Sequence, residues 1–236
     1  MNETISNALF NSVNGQISPA MNLERMAFIS GILFGLMQFG ALLYFIILVF
    51  PQMGPPDAAA QHVAYYTEHG MTLKLGNYLM TLPMPFFLLF LGGLSDVLGR
   101  SEGGGTLATA AVASGIIVAF LWPLSAVLNH IGIDIAQAGG DTASVVALDA
   151  IGVYMLALST LPRAILLAAA SVGLLYSRSV PGLMCWMGLA LAVISLVGSA
   201  TLVARQLFPM LALGTILFEV WVLLLSIVLL QNSINQ

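Results

Sequence analysis

Charge is what this sequence has least of. Only 7% of its 236 residues are Asp, Glu, Lys or Arg, against about 25% in a soluble domain. So few charges cannot clothe a water-soluble fold of this length, whereas the 59% of hydrophobic residues can face lipid. A mean hydropathy of +1.00 agrees. Basic residues are scarcer still: Arg25, Lys74, Arg100, Arg163, Arg178 and Arg205 are all there are. They form no basic patch, which excludes a nucleic-acid footprint, and the net charge of −4 is too small to indicate a charged partner. The single cysteine, Cys185, excludes an internal disulfide and a thiolate metal cluster. Its apolar run marks it as a small packing residue. HExxH, CxxCH, a Gly-rich phosphate loop and a nucleophile elbow are missing as well.

What is present is length in apolar runs. A bilayer core of about 30 Å takes about 20 apolar residues in a helix, and six stretches qualify. They run from about Met26 to Phe50, Leu73 to Leu94, Thr106 to Leu128, Tyr154 to Tyr176, Leu183 to Ala204 and Met210 to Leu230. The expected fold is therefore all-α, a polytopic membrane helix bundle of about six spans forming one domain over residues 26–230. A polar N-terminal segment, residues 1–25, precedes it, and a polar tail, residues 231–236, follows. The N-terminal segment lacks the basic region of a signal peptide and is expected to be retained, with a short surface helix around Ile5 to Val13. The stretch from Ala143 to Tyr176 is too short for two spans. One span is expected there, with a helical lead-in carrying Asp149; a re-entrant hairpin is the alternative.

Six spans put Arg25, Arg100 and Arg178 on one side and Lys74 and Arg205 on the other. That excess places both termini in the cytoplasm, in a bacterial-type inner (plasma) membrane. The longer connections then lie outside. The first contains a further short helix along the membrane surface, with Asp57 as its cap and Gly70 as its stop. His62, Tyr65, Tyr66 and His69 share one face of it.

Two charges lie deep within spans. Arg163 is about 20 Å and Glu219 about 16 Å above the inner ends of their helices, counting 1.5 Å per residue. A charge at such a depth should face the bundle interior and find a partner. One acid and one base about 4 Å apart in depth are expected to pair, either as a structural bridge or as a ligand or proton site. Pro162 loosens the helix ladder just before Arg163.

His62, His69, His130 and Asp134 fall on the outer side, and His and carboxylate ligands suit zinc, iron or copper. A metal or haem site there is one reading. The other is interfacial, with apolar ring bodies and polar tips at the headgroups. Gly31, Gly35 and Gly198 allow close helix approach. Twelve methionines read as lipid-facing filler rather than copper ligands.

The outer-loop segment "YYTEHGMTLKLGNYLMTL" and the inner turn "LLYSRSVPGLMCWMGLAL" resemble six-helix bacterial integral membrane proteins of a domain-of-unknown-function family. The resemblance covers the chain after about Met26 and implies a six-helix bundle without implying an activity. Three functions are compatible with the residues. The first is a non-catalytic subunit or accessory protein, packing against itself or a protein partner in a membrane complex. The second is a small-ligand or proton-coupled transporter or binding protein using Arg163 and Glu219. The third is a metal- or haem-binding protein with an outer-face histidine site.

Overall fold

The computed structural model describes residues 19–49, 59–100 and 103–235. All regular structure among them is helical. Helix α1 (Pro19–Tyr44) runs into a π-helical turn (Phe45–Val49). Next come α2 (Ala59–Thr81), α3 (Met84–Gly99), α4 (Gly104–Gln137), α5 (Thr142–Ser177), α6 (Gly182–Ser199) and α7 (Phe208–Ile234). Two 3-10 turns, Ala200–Leu202 and Arg205–Leu207, join the last pair. The polar segment before Pro19 and the expected cap Asp57 lie outside the described residues.

Six stretches are long and apolar enough to cross a membrane, with α2 and α3 together forming the second, Val63–Gly99. The protein is a polytopic membrane helix bundle. Its outward apolar side chains, such as Leu33, Leu36, Phe120, Trp186 and Val193, meet lipid, because no other solvent tolerates so large an apolar surface.

The second crossing follows the expected pattern in part. As expected, the first helical stretch breaks next to Gly70, at a kink where His69 is non-helical (φ −115, ψ 19), and a second stretch runs on to Thr81. Gly70 also gives close approach. A Cβ there would lie 2.7 Å from Ile133 Cγ2 and 2.5 Å from Gln137 Nε2 on α4. A further break comes at Leu82–Pro83, where Pro83 opens α3 as a residue without an N–H to continue the ladder.

The fourth apolar region is one unbroken helix, so the re-entrant alternative is not formed. At 1.5 Å per residue α4 and α5 are about 51 and 54 Å long, roughly 20 Å more than a bilayer core. The surplus forms a helical hairpin at the end opposite Arg100. Gly139 (φ 72) makes its turn. Asp141 caps α5 by accepting from the backbone N–H groups of Ala143 and Ser144.

Aromatic and branched side chains fill the main core, among them Phe28, Phe34, Phe87, Phe90, Trp122, Phe218 and Trp221. A second core under the hairpin gathers Val49, Tyr65, Tyr66, Leu73, Ile133 and Val145.

Candidate functional site

The packing of α1 on α7 positions the site. At one end of the bundle Arg25 Nη2 donates to the Ser233 carbonyl at 2.9 Å. Two turns further on, α7 crowds Gly31 so closely that a Cβ would sit 2.1 Å from Ser226 Oγ; a Cβ on Gly35 would sit 2.8 Å from Leu223 Cβ. The helices are antiparallel, so each step along α1 matches a step back along α7. Positions 31, 35 and 38 make one stripe of α1, and 226, 223 and 219 make one stripe of α7. Continued by one turn, that register puts Gln38 near the level of Glu219.

The base approaches from the other side. Arg163 on α5 donates from Nη1 to Thr215 Oγ1 at 2.7 Å and from Nε to Ser195 Oγ at 3.2 Å. The Thr215 hydroxyl in turn donates to the Leu211 carbonyl at 2.8 Å, so it is oriented to accept. The guanidinium carbon lies 5.7 Å from the centre of the Phe218 ring, a cation–π distance. On α7 Glu219 follows Thr215 by one turn.

Gln38 and Arg163 are 0% exposed and Glu219 is 2% exposed. Nevertheless Arg163 Nη2, Glu219 Oε2 and both polar atoms of the Gln38 amide have no hydrogen-bond partner among the described residues. No ion pair within 4.0 Å joins Arg163 to Glu219 among the described residues, although Arg163 holds Thr215, one turn before Glu219 on α7. The bundle thus buries both charges in its interior while leaving the bridge open, and buries the Gln38 amide as well. Among the described residues these four polar atoms on three helices lack partners, as do Arg25 Nε, Ser171 Oγ and Thr201 Oγ1, whereas about nine in ten buried groups ordinarily have one. Gly214 lies on the same side: a Cβ there would be 3.4 Å from Arg163 Nη2.

A second polar cluster lies under the hairpin. Tyr66 donates to Asp149 Oδ1 at 2.6 Å, and Asn129 Nδ2 donates to the Tyr66 hydroxyl at 2.7 Å. Asn77 Nδ2 donates to Asn129 Oδ1 at 2.6 Å. This network ties α2, α4 and α5 together through formed bonds, which is the behaviour of a structural clasp.

The outer histidines part company. His130 Nε2 meets the Lys74 carbonyl at 3.2 Å, while Asp134 pairs with Lys74 Nζ. The His69 ring lies 4.8 Å from that of Tyr65 and its Nε2 lies 3.9 Å from Glu68. The side chain of His62 lies outside the described residues. Among those described, no three His, Cys, Asp or Glu gather as a metal ion requires.

At the opposite end a cavity of about 370 Å³ is lined by Glu24, Arg100, Arg178 and Asn232, among others. The C-terminal ends of α3, α5 and α7 converge there. Their partial negative charge and Glu24, which accepts from Arg100 Nη2 at 2.7 Å, account for the arginines.

Sequence reasoning found Arg163 and Glu219 because charge is rare in these spans. It missed Gln38, Ser195 and Thr215. One signal for Gln38 was available: in "GILFGLMQFGALL" it is the sole polar side chain and lies seven residues after Gly31 on the same stripe. No family model, curated protein or solved structure matches this chain.

Proposed function

We propose that this chain binds a small polar solute within the membrane, as a transporter or a ligand-binding membrane protein, at Gln38, Arg163 and Glu219. The observation that carries the reading is the set of four buried polar atoms without partners on α1, α5 and α7. Each such group costs about 1–3 kcal/mol, so a bundle serving only structure would lose the amide or close the bridge. Ionisable residues at this depth mark solute and proton paths. The hydroxyls of Ser195 and Thr215 hold two guanidinium nitrogens in place, leaving the third to point at a guest.

The test is thermal unfolding of the purified chain in mild detergent against a panel of small amino acids, carboxylates, amines and polyols. A solute that stabilises the parent but not Arg163→Leu supports the reading. A full panel without effect overturns it.

A second reading, an accessory subunit in a complex or a homo-oligomer, draws support from open space over Gly40 on α1 and Gly92 on α3, where another helix could approach. A stoichiometric protein partner retained in mild detergent supports it, and a monodisperse single chain opposes it. We also infer that the end carrying Arg25, Arg100 and Arg178 faces the cytoplasm of a bacterial-type inner membrane. Single cysteines near Arg100 and Arg178 should then label from the inside, and those near His69 and Asp134 from the outside.

A further inference from the structure

We propose that the guest of this interior site is a zwitterion with an apolar body, an α-amino acid carrying an aliphatic or aromatic side chain, with its carboxylate on Arg163 and its ammonium on Glu219. The inference rests on the solute-binding reading above and adds the chemistry of the solute.

The first argument is charge balance. With both groups ionised, Arg163 and Glu219 together are neutral, and both are shut away from water. A guest with net charge of either sign would leave one charge uncompensated in the apolar interior, which is costly. A guest without charges would leave both ions of the site poorly paired. A molecule carrying one charge of each sign satisfies both at once.

The second argument is donor count. Arg163 has spent Nε on Ser195 and one proton of Nη1 on Thr215. Nη2 has two N–H groups and no partner, which suits a carboxylate oxygen. Glu219 accepts no hydrogen bond among the described residues, which suits an ammonium. Gln38 offers two N–H donors and a carbonyl acceptor near the level of Glu219, so it can serve either end of the guest. The four unpartnered atoms are thus two donor groups and two acceptor groups, the complement of a zwitterion.

The third argument is the wall. Phe218 underlies the guanidinium. Phe87 stands edge-on to Phe218 at 5.9 Å, and Trp122 at 6.5 Å. Phe34 packs on Phe87 at 4.9 Å. These rings belong to the buried core, so the surroundings of the guanidinium are apolar.

The experiment compares leucine with its two single-charge analogues, 4-methylpentanoate and 3-methylbutylamine, and with the uncharged 1,2-hexanediol, by thermal unfolding of the full chain. Leucine is expected to raise the midpoint by about 3–6 °C at ten times its Kd, and each single-charge analogue to bind at least tenfold more weakly. Glu219→Gln, which keeps the shape of the side chain but removes its charge, should exchange the preference: 4-methylpentanoate then outbinds leucine. A merely structural Glu219 would not produce that exchange.

Equal stabilisation of the parent by leucine and either single-charge analogue overturns the zwitterion while leaving the binding site. So does stabilisation by the diol alone. Silence of all four compounds, with midpoints in Gln38→Met and Glu219→Gln equally indifferent to them, overturns the zwitterion and the solute-binding reading together, leaving ordered water as the filling of the site.

Discussion

Replacing Gln38 with methionine should make this protein more stable, although it removes a buried polar side chain. The substitution keeps chain length and nearly keeps volume, a class of core exchange that costs little in packing. Methionine is also the side chain that best adapts to an irregular gap. What it removes is an amide that is 0% exposed and has neither its carbonyl nor its NH₂ satisfied. By protein mutational data such an amide costs about 1–3 kcal/mol. In a bilayer the unfolded helices also find polar partners, and hydrogen bonds there average about 0.6 kcal/mol, so the lower half of the range applies. A gain of about 1–2 kcal/mol corresponds to about 2–8 °C in a chain of this size. The buried Trp122 and Trp221 report unfolding by fluorescence in mild detergent. Solute-dependent stabilisation should fall in the same variant, the usual exchange of function for stability at a working site. A loss of 2 °C or more would refute the reasoning, because it would mean that the amide is satisfied in the folded protein and holds α1 on α7.

Arg163→Leu and Glu219→Leu should each destabilise by leaving the other charge without a counter-charge in the interior, and the double variant should recover part of the loss; additive losses in a thermal-unfolding cycle would show that the charges do not interact. Tyr66→Phe removes the hydroxyl that donates to Asp149 and accepts from Asn129, at about 1–3 kcal/mol; hydrogen exchange should quicken where α2 meets α4 and α5 and stay unchanged around Arg163. The Ser144 hydroxyl and the backbone N–H groups of Ala143 and Ser144 hold the exposed Asp141 carboxylate below the usual Asp range. Its capping contribution is therefore complete at neutral pH, above the unfolded value of about 3.9, and is lost as pH falls through the depressed folded value. Asp141→Ala should lower the unfolding midpoint at pH 7, and the gap to the parent should narrow in acid; a gap that widens in acid would contradict the cap.

The six crossings were legible in the linear chain because membrane insertion is a local demand: about 20 apolar residues in a row satisfy it whatever their neighbours do. Arg163 and Glu219 were legible for the same reason, since a charge in such a run has to be explained in any fold. The break beside Gly70 was legible from local rules, since it falls at the neighbouring His69; the close approach of Ile133 and Gln137 to Gly70 was not. Gln38 was beyond local rules altogether. An amide in a membrane helix is unremarkable until its partners are counted, and that count depends on the register of α1 against α7, helices some 190 residues apart in the chain. The same holds for the open bridge. Sequence placed an acid and a base at similar depth. Only the tertiary packing decided that Ser195 and Thr215 would hold the guanidinium from one side, away from a closed salt bridge, because the direction of a buried side chain is set by the helices packed around it.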